Sequence, residues 1–304
     1  MSVDTTPRTE PPTERPALSV KTPNAQRRAL FSRVMTVVLG ITFLAAVTPL
    51  VLLLWQVTVN ALPALSLDFI TQIEPLSYRE TGGGYLHGIV GTFYMTGIAA
   101  LVTIPLGILA AVYLTEFDGL YPNIVRFFTD VMTGTPSVFV GLAVYALLVS
   151  GAGGLGLGFG TLAGAAALGI LMLPIVVRST EEMLRLVPDD LKNASYGLGA
   201  RRWQTALKVT LPAAAPGIVT GSILAVARGA GETAPLILTA LGAREVIGAL
   251  WGRPQADIGL LMVDGFNQPF DGGIQRAWAG GFTLIAIVLI LSVIARLVAR
   301  RAQV

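Results

Sequence analysis

Six long apolar runs, separated by shorter polar stretches, dominate the chain: residues 33–59, 88–114, 125–150, 159–178, 212–240 and 277–299. Crossing a hydrocarbon core of about 30 Å takes roughly 20 helical residues, and a helix satisfies its own backbone hydrogen bonds there. The pattern therefore predicts an all-α membrane protein with six transmembrane helices. The third run is the least apolar, because it contains Arg126, Asp130, Thr133, Gly134, Thr135 and Pro136. A five-span alternative must therefore be tested against the distribution of charge.

Lysine and arginine favour the cytoplasmic side of a membrane. With six spans and both termini inside, 16 of the 21 basic residues fall in the tail up to Arg33, the 115–126 loop, the 178–208 segment and the C-terminus. Arg79, Arg244, Arg253 and Arg276 fall outside, and Arg228 lies within a span. Removing one span would place Arg296, Arg300 and Arg301 outside, so six spans are expected, with cytoplasmic N- and C-termini. The formal net charge of +3 is thus an orientation signal; the lipid bilayer is the expected partner and nucleic acid is not.

Composition agrees, since 53% hydrophobic and 13% charged residues are too apolar a mixture to clothe a soluble globule of this length. There is no cysteine, which excludes a disulfide framework and a cysteine-ligated metal. Residues 1–28 carry Pro7, Pro11, Pro12, Pro16 and Pro23 among polar residues. They are expected to form a disordered cytoplasmic tail, leaving 29–304 as the membrane domain. The first apolar run is too long and too far along for an ordinary signal peptide and is expected to remain attached.

Arg228 and Glu232 stand four residues apart within the fifth run, about 6 Å along one helix face. Each would cost about 3 kcal/mol or more at the bilayer centre, so both should face protein or a wet cavity. The pair can lock helix packing, or it can act as a gate. Arginine's planar fork suits an oxyanion, whereas a carboxylate repels one unless it holds or releases that arginine. Arg178, expected at the cytoplasmic end of the fourth run, is either a snorkelling cation or part of the same pathway. His87, the single histidine, is expected at an interface and not on a metal. Gly151 to Gly156 formally fits G-x-G-x-x-G, but no acidic residue follows at the distance a ribose needs, so a turn is expected. No phosphate-cradling G-x-x-x-x-G-K-[ST] occurs, so energy from ATP would have to come from a partner.

A polar loop at about 185–211 joins the fourth and fifth runs. Pro188 with Asp189 and Asp190 reads as an acidic cap on a short helix reaching about residue 198. Gly199 reads as the reversal after it, and Pro212 and Pro216 as the opening of the next span. Asn193-Ala194-Ser195, then Gly199, Val209 and Leu211-Pro212, reads as N-A-S-x3-G-x9-V-x-L-P. This resembles the E-A-A-x3-G-x9-I-x-L-P loop of membrane permeases in ATP-driven, binding-protein-dependent importers. The Gly134 to Gly141 run, the Arg178 segment and the Arg228 to Leu236 run are similar to those of phosphate importer permeases of the PstA type, over about residues 30–300.

The resemblance implies a MetI-like ABC importer permease fold and no catalysis in this chain. ATP and Mg would be bound by two copies of a PstB-like ATPase, beside a homologous PstC-like permease and a PstS-like phosphate-binding protein. It implies that Asp190, Asn193, Ala194, Ser195 and Gly199 meet the ATPase, with Asn193 where the family has glutamate and Asp190 as its possible replacement. Arg178, Arg228 and Glu232 would take positions linked to phosphate passage. A permease for sulfate, molybdate or another solute, or a scaffold or sensor without transport, is the alternative.

Overall fold

The computed structural model describes residues 23–151 and 154–301. Among these residues the chain is helical, and strand pairing is limited to one bridge between Leu241 and Gln255. It divides into two units, one ending at Trp55 and one starting at Gln56. Among the described residues five helices are long and apolar enough to cross a membrane, or six if one sharply bent pair is counted as a single span.

Helix α1 (Pro23–Ala61) belongs to the first unit as far as Trp55. It begins inside the stretch 1–28 that was expected to be disordered. Proline is favoured where a helix opens, since its missing N–H costs nothing there, and Ala25, Gln26, Arg27 and Arg28 are good helix formers. The remainder of the expected tail, residues 1–22, lies outside the described residues. No residue in the most apolar part of α1 is buried.

In the second unit a short α2 (Leu67–Thr71) precedes α3 (Leu86–Glu116), which lies parallel to α6 (Thr161–Arg185). Gly164 meets Met95 and Gly107 meets Val176 along this seam. The chain then passes through α7 (Asp189–Gly197), α8 (Arg202–Thr205) and a π-turn, Ala206–Thr210, into α9 (Leu211–Ala230). Here α9 runs antiparallel to α6: Gly217, Gly221 and Gly229 face Met183, Ser179 and Met172, and a Cβ on any of the three would come within 2.2–2.6 Å of those side chains. Lipid offers helices little hydrophobic drive to associate, so close packing through small residues supplies the attraction. Met95, Leu168, Met172 and Leu236 form the adjoining core.

Two predicted spans are interrupted. Instead of one helix over 125–150, α4 (Leu120–Gly134) and α5 (Ser137–Val144) meet at 107°, and α5 continues as a π-turn to Val149. Pro136 is the cause. It denies the α conformation to the residue before it, and Thr135 is extended at φ −77°, ψ 127°. Likewise the fifth span does not continue through 240: α9 stops at Ala230, and α10 (Ala234–Thr239) starts anew around Pro235. The two interruptions adjoin, since a Cβ on Gly141 of α5 would lie 2.7 Å from Pro235 Cα of α10.

The segment after α10 leads through α11 (Ile258–Phe266) to α12 (Asp271–Arg301), which contains the whole expected sixth span. The fourth helix extends seven residues beyond its expected end at 178, so Arg178 sits about two turns inside α6. His87 is not at a surface but fully buried, edge-on to Tyr85 at 6.2 Å, with neither ring nitrogen hydrogen-bonded. Gly151 and Gly156 both take positive φ (66° and 59°), as a turn requires.

Candidate functional site

Arg228 and Glu232 do pair, at 3.5 Å between Nη2 and Oε1. The sequence placed them mid-helix; the structure places Arg228 in the last turn of α9 and Glu232 just beyond it. The Gly231 amide closes back on the Arg228 carbonyl at 3.0 Å, so the break itself sets the pair's geometry. Glu232 is mostly covered, whereas the Arg228 side chain is 67% exposed in this chain. An arginine so exposed at the end of an apolar helix requires water, an anion or a second protein against it.

Arg178 projects from α6 and is also exposed, but it is not a lone snorkelling cation. It is ion-paired with Asp130 of α4. Ser179 faces Gly221, and Arg228 lies seven residues further along α9, so the two charged pairs are separated by about 10 Å along the α6–α9 seam. The structure thus puts both predicted arginines on one helix pair at two levels, each with its own carboxylate.

A third cluster went unforeseen. Arg126 Nε meets Glu181 Oε1 at 3.0 Å, Arg126 Nη2 donates to the Leu114 carbonyl at 2.6 Å, and Arg185 reaches the same Glu181 oxygen at 2.7 Å. This ties the end of α3 to α4 and α6. Glu181 is buried, so two cations are needed to offset its desolvation. The signal was present in the sequence as Glu181 and Arg185 at helical spacing, and as Arg126 within an otherwise apolar run.

At the far end of α6, α7 forms where the sequence places it and buries none of its residues. Its acidic residues do not cap it: Pro188 is the N-cap and no side-chain cap bond exists. Asp189 and Asp190 instead occupy the first turn, where they favour the positive end of the helix dipole, and Asp189 pairs with Lys192 at 3.3 Å. Asp190, Asn193 and Ala194 are exposed, and Ser195 is half-buried because its hydroxyl bonds that of Thr205 at 2.9 Å. Gly199 turns the chain at φ +85°. The turn presents Leu198, 91% exposed, next to Trp203 at 55%.

Residues 103–304 match the family described as binding-protein-dependent transport system inner membrane component. The chain belongs to that family. Among curated members, it is 35% identical over 279 residues to the phosphate transport system permease protein PstA 1 of Mycobacterium tuberculosis, covering 91% of each chain. It is 37% identical over 264 residues to PstA of Haemophilus influenzae, covering 85% of this chain and 91% of the other. The inner membrane component fold also recurs in solved structures. An inward-facing MetNI methionine ABC transporter chain matches with a TM-score of 0.57 at 18% identity, over 71% of this chain and 95% of that one. A chain of a bacterial alginate ABC transporter, solved with its alginate-bound periplasmic protein, matches with a TM-score of 0.63 at 15% identity, over 91% and 96%. The MetI-like architecture expected from the sequence is therefore the observed one.

Proposed function

We propose that this multi-pass inner membrane component is the permease subunit through which an ATP-driven importer carries inorganic phosphate into the cell by alternating access. The observation that carries the reading is the exposed Arg228 held by Glu232 at the broken end of α9, in a chain similar over 91% of its length to a phosphate permease. Arginine offers paired donors to a phosphate oxyanion. A neighbouring carboxylate repels that anion unless the arginine is traded between them, so the pair suits a gate better than a fixed trap.

The same reading assigns the partners. A homologous PstC-like permease would complete the pathway beside α6 and α9, where the exposed arginines need a wet or proteinaceous face. Two PstB-like ATPase subunits would bind ATP and Mg, with α7, Leu198 and the Gly199 turn docking into one of them. A PstS-like phosphate-binding protein would deliver substrate from outside. Both chain ends and α7 would lie in the cytoplasm, in keeping with the positive-charge bias. Asp190 lies three residues before Asn193, on the same face of α7, and would supply the acidic contact that Asn193 lacks.

The test is reconstitution of the chain with these partners and ATP in liposomes, following labelled phosphate and labelled sulfate. ATP-dependent uptake of phosphate is expected. Uptake of sulfate without phosphate would overturn the substrate assignment.

A further inference from the structure

The seam between α4 and α6 carries two charged rungs of reversed polarity. Arg126 of α4 meets Glu181 of α6, and one turn away Asp130 of α4 meets Arg178 of α6. The rungs differ in kind. Glu181 is 5% exposed and serves two arginines, and Arg126 also holds a main-chain carbonyl, so that rung is saturated. In the other, Arg178 and Asp130 are 45% and 54% exposed, and among the described residues neither has another charged partner.

We propose that Asp130 is a positioning residue for transport: its carboxylate occupies the Arg178 guanidinium between cycles, yields it to the passing oxyanion, and reclaims it as the anion leaves. The inference rests on the phosphate reading given above and extends it to a residue that reading does not use. The guanidinium fork donates to a carboxylate or a phosphate in the same two-bond geometry, so the exchange needs no rearrangement of α6. Exposure makes the exchange feasible. Where this exposed pair faces the wet pathway, a competing anion can displace it, which it cannot do to a buried pair such as Arg126–Glu181. The saturated rung one turn away keeps α4 in register, so Asp130 remains poised to return.

The experiment uses proteoliposomes carrying the complete transporter, with lumenal ATP, external labelled phosphate delivered by the binding protein, and graded unlabelled phosphate in the lumen. Initial uptake rates give the lumenal phosphate concentration that halves import. With Asp130→Asn, Arg178 retains the anion longer, so this concentration should fall about two- to fivefold, the range expected from removing an exposed charged competitor. Asp130→Glu should recover the lost value. In the exchanged pair, Asp130→Arg with Arg178→Asp, assembly should be retained while uptake is lost, because the cation has left α6.

Wild-type half-inhibition in Asp130→Asn, or wild-type uptake in the exchanged pair, would overturn the proposal and leave a purely structural rung. A wild-type complex that imports sulfate in place of phosphate would sink the substrate reading alone. The same measurement with lumenal sulfate would then decide the role of Asp130.

Discussion

The Arg276 guanidinium and the Glu74 carboxylate approach to 3.5 Å where each side chain is 1% exposed, fastening the segment after α2 to the start of α12. Arg276 also donates to the Glu80 and Gly82 carbonyls at 2.7 and 3.2 Å. Burial pushes the Glu74 carboxyl above its ordinary range, and the charges of Arg276 and Arg244 pull it back. Removing one partner of such a pair strands the other, at a cost of about 3–5 kcal/mol. Arg276→Met should therefore lower the melting temperature of the purified complex sharply. The double variant with Glu74→Gln should recover most of the loss, and equal melting temperatures for single and double variants would refute this account.

Asp257 predicts a pH dependence. It caps α11 by accepting from the Gly259 and Leu260 amides at 2.8 and 3.3 Å and from the Thr92 hydroxyl at 2.7 Å. Burial nevertheless pushes its carboxyl up to about 6, against an ordinary 3.8. A raised folded-state pKa means that the folded form holds the proton more tightly. Its stabilising contribution is therefore complete below about pH 4 and lost as pH rises through 6, a change on the order of 3 kcal/mol. Melting temperatures of wild type should decline across that window, and Asp257→Asn, uncharged throughout, should flatten the decline. An unchanged slope in the variant would assign the pH dependence to other groups.

Gly199→Asp tests the docking loop. A side chain at φ +85° strains the turn by about 1 kcal/mol, enough to redirect Leu198 without unfolding the membrane helices. Co-purification of the ATPase should drop at least about tenfold, with the partner permease retained. Intact ATPase binding and transport would remove α7 from the docking role.

Arg228→Gln keeps length and hydrogen-bonding capacity but loses the charge that Glu232 and an oxyanion would share. Uptake should fall more than about tenfold with assembly unchanged, since a charge-assisted bond has roughly twice the strength of a neutral one. Normal uptake would reduce the pair to a packing device.

Much of the architecture was legible because lipid permits few solutions: long apolar runs must be helices, and lysine and arginine mark their ends. What escaped had local or long-range causes. The bend at Pro136 and the break before Pro235 split two runs that hydropathy alone reads as continuous, and both prolines were visible as chemical reasons for it. The short helix and the Gly199 turn between the fourth and fifth runs were readable from the sequence, but the place of the acidic residues was not, because Pro188 took the cap position. Asp130 and Glu181 were assigned no partners, since an ion pair between α4 and α6 depends on how helices more than 40 residues apart in sequence come to lie together. His87 was misplaced for the same reason: its cover comes from tertiary packing, not from its place in α3.

The seat of Gly141 against Pro235 sets the two interrupted helices side by side. Around them α4 is held to α6 by the Arg126–Glu181 pair, and α6 lies close to α9 at Gly217, Gly221 and Gly229. At both joints the helical ladder gives way to tighter three-residue bonds, Thr135 to Met132 in one and Gly231 to Arg228 and Glu232 to Gly229 in the other. A change of angle at the second joint would alter the exposure of Arg228 while leaving α9 and α10 helical.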